Sequence, residues 1–228
     1  MIKLEHIETF NWEGAIRGMR NPMNSWDKSD SCLCEGGDNF RDCIVSTGVC
    51  PRNGDFDRDR FCIGAADFDL MKRLAKAGSD HRKYMRQIFV SVDITAPLYW
   101  WKEFDTYKVG TVANSCSTMH TIHKKEFEVS DFSTDNMTNA GTAVLNYLIS
   151  VLEDCRECFN ETKDKGVWHD LISLLPSGYL QKRTVTMTYE NLVNMYHARK
   201  NHKLDEWHTF CGWIKCLPYS EIITGVKE

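Results

Sequence analysis

A short stretch near the C-terminal end of the chain has the residue types that hold a phosphate. It runs Arg199-Lys200-Asn201-His202-Lys203 and is followed at once by Asp205-Glu206-Trp207. An arginine guanidinium can bind phosphate through two parallel hydrogen bonds. A run of this kind is also typical of a solvated helix end, where cations complement the helix dipole. The pattern is therefore consistent with a phosphate site and equally with an ordinary helix terminus.

Four cysteines could bind zinc in a part of the chain without regular periodicity. They are Cys32, Cys34, Cys43 and Cys50, within residues 20–62, a stretch rich in Asp, Gly, Asn and Ser. Four thiolates can hold zinc, but the two-residue spacing that structural zinc pairs use is absent. We therefore predict reduced thiols and no metal here.

Further along, cysteine and histidine stand in three other suggestive patterns. Cys155-x-x-Cys158 has the spacing of a redox pair, yet Cys155 falls in the apolar stripe of a predicted helix, which favours packing. His120 and His123 have no third ligand at a matching spacing. Cys116 with His120 could form a nucleophilic pair, but the sequence favours a polar wall or surface.

The elements that must position these residues alternate between helix and strand. A helix capped by Asp67 and ending at Gly78 precedes a strand over 88–94, whose apolar and polar residues alternate. Pro97 begins an aromatic helix, a long helix covers about 138–162, and Thr188 caps a helix after a short strand over 184–187. In the long helix we expect an apolar stripe of Val144, Leu148, Val151, Cys155 and Phe159. This order predicts an α+β domain.

Composition limits the classes of protein to which the chain can belong. It has 228 residues, 42% of them apolar, and a formal charge of -4. We expect one domain over 1–228 with an irregular insertion at about 20–62. The acidic balance argues against binding to duplex nucleic acid. No apolar run of membrane-spanning length and no signal peptide stand out, so we expect a cytoplasmic protein without a membrane partner.

Three blocks of the sequence, taken in order, resemble the flavin-dependent thymidylate synthases, also called thymidylate synthase-complementing proteins. The first contains Gly78, His81 and, after the strand, Ala96-Pro97. In the second, Asn114 and Ser117 stand three apart, as in the family motif R-H-R-x7-S with its N-E-x-S continuation. The third contains Leu175-Pro176, Thr188, Asn194 and Arg199 at the family's spacing. The likeness covers roughly residues 67–215.

The match departs from the family where cations are expected. Counted back from Ser117, the R-H-R triplet falls on Tyr107-Lys108-Val109, which leaves one lysine in place of two arginines and a histidine. The motif's later Arg-Tyr falls on Met119-His120. Lys102, Lys108 and Arg199 are the cations that could compensate.

The resemblance implies a thymidylate synthase-complementing-protein-like fold, with a central antiparallel or mixed sheet and long helices. It implies reductive methylation of dUMP to dTMP by a homotetramer, with FAD as cofactor and NADPH and methylenetetrahydrofolate as co-substrates. Arg199, Ser117 and Lys102 would bind the substrate, and Lys108, Asn114 and Asn194 the cofactor. The departures leave two alternatives, which are another pyrimidine-nucleotide-modifying enzyme and a noncatalytic nucleotide-binding homologue.

Overall fold

The structure, a computed structural model, describes residues 2–33 and 61–226 of the chain. Its strands are β1 (Lys3–Phe10), β2 (Cys32–Leu33), β3 (Phe61–Cys62), β4 (Phe89–Pro97), β5 (Val112–Ser115) and β6 (Leu180–Thr188). Its α-helices are α1 (Trp12–Arg20), α2 (Ala65–Lys76), α3 (Leu98–Phe104), α4 (Thr118–Thr121), α5 (Asn139–Thr162), α6 (Lys165–Leu174), α7 (Tyr189–Arg199), α8 (Asp205–Cys216) and α9 (Glu221–Thr224). Short 3₁₀ turns cover Asn21–Met23, Trp26–Lys28, Lys83–Gln87, Asp105–Tyr107, Ile122–Lys124 and Val129–Asp131.

The central sheet has four strands in the order β1-β4-β6-β5, and every neighbouring pair is antiparallel. β4 and β6 form the middle of the sheet and pair over their full length, from Phe89 opposite Thr188 to Pro97 opposite Leu180. The predicted α+β class with an antiparallel central sheet and a long helix is confirmed.

Alternation along β4 decides which face of the sheet meets the core. Val90, Val92, Ile94 and Ala96 are fully buried. The residues between them face the other way. On that face, Asp93 accepts a hydrogen bond from Thr184 and forms an ion pair with Lys182. Because side chains alternate across a strand, the sheet has one apolar face, which packs on helices, and one polar face.

The core that includes the apolar face also contains aromatic rings from α3 and α8. Five of these aromatic side chains are Trp100, Trp101, Phe104, Trp207 and Phe210. Their neighbouring ring centroids lie 4.8 to 6.1 Å apart, within the range of attractive edge and tilted contacts. The aromatic segment predicted after Pro97 is therefore core, with Pro97 itself as the residue that precedes the helix.

Helix α5 starts after Thr138, whose hydroxyl accepts a hydrogen bond from the amide of Gly141. Its inward side chains pack with α6 in a second hydrophobic cluster that includes Leu145, Leu152 and Leu171. The predicted stripe is partly wrong, because Val144 is 68% exposed while the next residue, Leu145, is buried. A stripe that begins one residue later keeps the same helical spacing, so periodicity alone did not distinguish the two.

The start of α2 also differs from the prediction. Asp67 lies inside the first turn, and the carboxylate of Asp30 accepts hydrogen bonds from the amides of Ala66 and Asp67 at 2.8 and 3.0 Å. Asp30, distant in sequence, therefore satisfies the amides that a local cap would otherwise satisfy. Asp67 is left free to pair with Arg20, at 2.6 Å.

The predicted start of α7 is confirmed by a reciprocal pair of hydrogen bonds. The hydroxyl of Thr188 accepts from the amide of Asn191 at 3.2 Å, and the side chain of Asn191 accepts from the amide of Thr188 at 3.0 Å. Such a capping box is worth about 1 kcal/mol, and it fixes the helix that carries Asn194 and Arg199.

The predicted insertion at about 20–62 begins as two 3₁₀ turns and then enters the small ladder of β2 and β3. Cys34, Cys43 and Cys50, three of the four cysteines considered for zinc, lie outside the described residues.

Candidate functional site

A cavity of 640 Å³ lies against one face of α7. It is lined by Arg82, Tyr107, Val193, Asn194, His197, Ala198 and Val226. Four of these residues come from α7, at positions that share one side of a helix. We call this space the Asn194 cavity, because the exposed amide of Asn194 stands in its wall.

Arg199 contacts Tyr107, a wall residue of the Asn194 cavity, and is held in place by aromatic neighbours. Its Nε donates a hydrogen bond to the hydroxyl of Tyr107 at 2.9 Å. The guanidinium carbon lies 4.9 Å from the ring centre of Trp207, in a cation–π contact. The side chain is 19% exposed, so the charge is oriented by packing and still reaches solvent.

Glu103 partly neutralises that charge. Its Oε2 lies 3.0 Å from an Arg199 terminal nitrogen, and it also accepts from the indole nitrogen of Trp207 at 2.8 Å. His202 Nε2 lies 3.4 Å from the same oxygen. A phosphate that binds Arg199 must share the guanidinium with this carboxylate or displace it.

Arg82, which lines the Asn194 cavity, is committed to a different ion pair. Its Nε donates to Glu190 at 2.9 and 3.1 Å, and both side chains are nearly buried. Arg82 therefore fixes the junction between the Lys83–Gln87 turn and α7, and little of its charge remains for a ligand.

A second cavity, of 280 Å³, lies at the far end of β5. Ser117 is in its wall together with Cys116, Lys125, Gln181 and Lys182, and we call it the Ser117 cavity. Ser117 caps α4 by accepting a hydrogen bond from the amide of His120 at 3.2 Å, which leaves its hydroxyl proton available to donate.

Both lysines of the Ser117 cavity stay charged at neutral pH. The hydrogen bond to Asp131 raises the pKa of Lys125, and the hydrogen bond to Asp93 raises the pKa of Lys182. Asp93 receives hydrogen bonds from Thr184 and Lys182, and these lower the pKa of its carboxyl group. The wall thus offers hydroxyls, an amide and partly paired cations, a set that suits a polar, anionic ligand.

The two cavities have no lining residue in common. Tyr107, in the wall of the Asn194 cavity, precedes β5, and Ser117 follows it. Asn114 lies in between, exposed and opposite Thr184 of β6. Lys102 and Lys108 are also exposed and form no ion pair within residues 2–33 and 61–226.

Asn194 therefore lines one cavity and Ser117 the other, and Arg199 contacts Tyr107 in the wall of the first. Asn114, Lys102 and Lys108 stand on the surface and line neither cavity. Tyr107 and His197 were not predicted as site residues. His197 follows Asn194 by three positions on a predicted helix, so helical spacing could have found it. Tyr107 stands at the first position of the R-H-R triplet, and that match could have found it, whereas its contact with Arg199 spans 92 positions.

In the part of the chain that the structure describes, the patterns around Cys155 and His120 do not form a further site. Cys155 packs against the second hydrophobic cluster, as predicted, and Cys158 is exposed. His120 is exposed, and His123 packs edge-on against Phe159. Over the described ranges no three His, Cys, Asp or Glu side chains are grouped to hold a metal ion. Within the same ranges no helix is both long and apolar enough to cross a membrane.

The Asn194 cavity fits the ring system of FAD better than it fits the phosphates of that cofactor. Its volume, the ring of Tyr107 and the apolar side chains of Val193 and Val226 suit a flat heterocycle, and the amide of Asn194 can bond its polar edge. The phosphates would need a cation other than Arg82, which is bound to Glu190.

Comparison with known proteins yields structural matches only. No family model and no curated protein matches the sequence. Thymidylate synthase X (ThyX) from Helicobacter pylori, solved with FAD and dUMP, has a TM-score of 0.68 at 14% identity over 99% of this chain and 98% of that chain. A flavin-dependent ThyX from Helicobacter pylori, also with FAD and dUMP, gives 0.65 at 15% identity over 99% of both chains. The UMP/dUMP methylase PolB from Streptomyces cacaoi, bound to 5-Br dUMP, gives 0.57 at 12% identity over 99% and 96%. At these identities the likeness establishes the fold, and it is the fold that the resemblance in sequence predicted.

Proposed function

We propose that the chain is a flavin-dependent enzyme that methylates C5 of a pyrimidine nucleotide, with dUMP as substrate and dTMP as product. One observation carries the proposal: Tyr107 both lines the Asn194 cavity and accepts a hydrogen bond from Arg199. A cavity that suits a flat ring and a cation that suits a phosphate therefore share a wall residue. The fold shared with proteins solved with FAD and dUMP supports the same assignment.

The task of this chain is to bind and orient its ligands. FAD, reduced by NADPH, supplies the hydride, and methylenetetrahydrofolate supplies the carbon. Asn194 holds the polar edge of the flavin ring, and Arg199 binds the nucleotide through its contact with the wall of the same cavity. Lys108 and Asn114, which we assign to the cofactor, and Ser117 and Lys102, which we assign to the nucleotide, lie away from this cavity. We therefore assign these four residues to ligands held by a neighbouring subunit of the assembly proposed below. Positioning of this kind can lower a barrier without an enzymic nucleophile.

Modification of a different pyrimidine nucleotide is the second candidate, and the UMP/dUMP methylase among the structural matches supports it. The Glu103–Arg199 pair does not separate the two candidates, because every nucleoside monophosphate presents the same phosphate dianion. A noncatalytic nucleotide-binding homologue remains the third.

The Asn194→Ala variant tests the cofactor assignment. FAD is titrated into the purified protein, and the change in the flavin absorbance bands reports binding. We expect the variant to bind FAD about 3- to 10-fold more weakly than the native chain, because one amide hydrogen bond is lost. Asn146→Ala, an exposed asparagine on α5 that lines neither cavity, is the matched control. Equal FAD affinity in all three proteins would remove Asn194 from the site.

Release of tritium from C5-labelled dUMP, measured with FAD, NADPH and methylenetetrahydrofolate present, then separates the three candidate functions. Release supports methylation of dUMP. FAD binding without release from dUMP, but with release from labelled UMP or another pyrimidine nucleotide, supports the second candidate. A protein that binds nucleotide and ignores FAD is the noncatalytic homologue.

We also propose that the chain assembles into a homotetramer, in which residues of neighbouring subunits complete each site. The outer face of α5 supports this proposal, because Ala140, Val144, Tyr147 and Val151 recur at alternating spacings of four and three. This spacing is the seam by which helices pair, and Val144 and Tyr147 are 68% and 73% exposed. A second copy of α5 is the partner that such a seam fits.

Light scattering during size-exclusion chromatography tests the assembly. We expect a mass four times 26.4 kDa for the native chain. Tyr147→Lys should give a smaller species, because a buried lysine across a helix pair is costly. Ser79→Lys, in an exposed loop, should leave the mass unchanged. A monomeric native chain, or a Tyr147→Lys variant that stays tetrameric, would contradict the proposed interface.

A further inference from the structure

Two cysteines lie directly opposite each other in the small ladder formed by β2 and β3. The strands are antiparallel, with Cys32 opposite Cys62 and Leu33 opposite Phe61. These two cysteines are 30 positions apart in the sequence, and no spacing rule connects them. Cys32 is exposed and Cys62 is 6% exposed.

Directly opposed residues of an antiparallel pair meet the distance requirements of a disulfide. Their side chains lie on the same face of the ladder, with Cα atoms about 4.5–5.5 Å apart and Cβ atoms about 4.5–5.5 Å apart. A disulfide joins Cα atoms separated by about 4.4–6.8 Å and Cβ atoms separated by about 3.5–4.5 Å. A shift of a few tenths of an ångström at each Cβ therefore allows the bond to form.

The residues that flank the two cysteines are already held together without a disulfide. The Ser31 hydroxyl accepts a hydrogen bond from the amide of Gly64 at 2.9 Å, and it donates to Asp67 at 2.6 Å. Next to Cys62, the amide of Ile63 donates to the hydroxyl of Tyr219 at 3.2 Å, which anchors this end of β3. Because the bond between Ser31 and Gly64 already joins the two segments beside the cysteines, ring closure between the thiols costs little additional chain entropy.

We infer that Cys32 and Cys62 form a site of reversible thiol–disulfide exchange. The exposed Cys32 reacts first, since its thiolate can reach a small disulfide in solution, such as glutathione disulfide. A bond forms between Cys32 and one glutathione sulfur, the glutathione S–S bond breaks, and one glutathione leaves as a thiol with the proton from Cys32. The Cys62 thiolate then attacks the Cys32 sulfur and releases the second glutathione with the proton from Cys62.

The chain supplies its own comparison pair. Cys155 and Cys158 are only three positions apart in α5, but Cys155 packs inward against the second hydrophobic cluster while Cys158 is exposed. Burial raises the pKa of the Cys155 thiol and disfavours its thiolate. We expect glutathione to attach singly to Cys158, in contrast to the internal bond between Cys32 and Cys62.

Peptide mapping of the full chain tests the site. The protein is equilibrated at several ratios of reduced to oxidised glutathione, alkylated, digested without reductant and analysed by mass spectrometry. We expect a linked Cys32–Cys62 peptide that forms at a more reducing ratio than any glutathione adduct of Cys158. Cys62→Ser should abolish the link and leave a single glutathione on Cys32. Cys158→Ser should leave the link unchanged.

Three results would overturn the inference: Cys32 linked chiefly to another cysteine, both thiols still reduced at an oxidising ratio, or zinc that copurifies and protects both thiols. Cys62 is buried, so its serine variant can fail to fold. The exposed Cys32→Ser variant then serves in its place, and in that variant the linked peptide must be absent.

Discussion

Replacing Arg199 with alanine is expected to weaken dUMP binding about 10- to 150-fold. A charge-assisted hydrogen bond to phosphate contributes about 1.5–3 kcal/mol, and 1.4 kcal/mol corresponds to a factor of ten. Titration calorimetry with dUMP on the native chain and the variant measures the change. The expected effect lies towards the lower end of that range, because Glu103 already holds part of the guanidinium at 3.0 Å.

Two further variants make the Arg199 prediction specific. Glu103→Gln keeps the shape of the side chain and removes the competing charge, so dUMP should bind several-fold more tightly. Lys76→Ala, at the exposed end of α2, removes one positive charge outside both cavities and should change little. The loss of a partly exposed ion pair lowers stability by roughly 1 kcal/mol or less, so melting temperatures should stay close. Equal affinity of the native chain and Arg199→Ala would remove Arg199 from the nucleotide site.

The sequence predicted the elements that alternate strongly and missed those that do not. β4 was predicted because Val90, Val92 and Ile94 alternate with Ser91 and Asp93 in the sequence. The structure buries all three apolar side chains. β1 is an edge strand with Ile7 and Phe10 both exposed, so its residues carry no clear alternation. β5 is short and exposed along its whole length. It pairs with β6, which lies far along the sequence, so no local sequence pattern predicts this pairing.

The candidate site shows the same division between local and long-range information. The sequence could place Asn194 and Arg199 on one helix, where Asn194 lines a cavity and Arg199 contacts Tyr107 in its wall. The contact of Arg199 with Tyr107 spans 92 positions and that of Glu103 with Trp207 spans 104, so neither follows from spacing. The role of Arg199 at a phosphate therefore stays a prediction from the sequence, whereas its pairing with the carboxylate of Glu103 emerged only from the fold.

The Arg20→Met variant is expected to lower the free energy of unfolding by about 3–5 kcal/mol at neutral pH. Arg20 and Asp67 are 2.6 Å apart, with side chains 5% and 0% exposed. Asp67 also accepts hydrogen bonds from the hydroxyls of Ser29 and Ser31 at 2.7 and 2.6 Å. Removing the arginine leaves a buried carboxylate without its countercharge, which is far more costly than losing an exposed pair.

A matched variant in a neighbouring helix separates burial from charge. Arg73 pairs with Asp69 at 3.0 Å on the surface of α2, with side chains 68% and 61% exposed. Arg73→Met should cost only about 0.3–0.5 kcal/mol, because water and salt screen such a pair. Urea unfolding of the native chain and both variants measures the difference. Equal losses of unfolding free energy in the two variants would mean that the buried ion pair stabilises the fold no more than the surface ion pair does.

The contribution of the Arg20–Asp67 ion pair to stability depends on pH, and the pKa of Asp67 determines the direction of the change. Burial alone would raise the pKa of Asp67, but hydrogen bonds from Ser29, Ser31 and Arg20 outweigh it and hold the pKa below its ordinary value. A carboxyl group with a lowered folded pKa contributes stability above its unfolded pKa of about 3.9 and loses it as the pH falls through the folded value. Protonated Asp67 no longer needs Arg20, and Arg20 then becomes the uncompensated buried charge. The difference in unfolding free energy between the native chain and Arg20→Met should therefore shrink below about pH 4, and a difference that stays constant across this range would assign the loss to packing of the arginine stem instead.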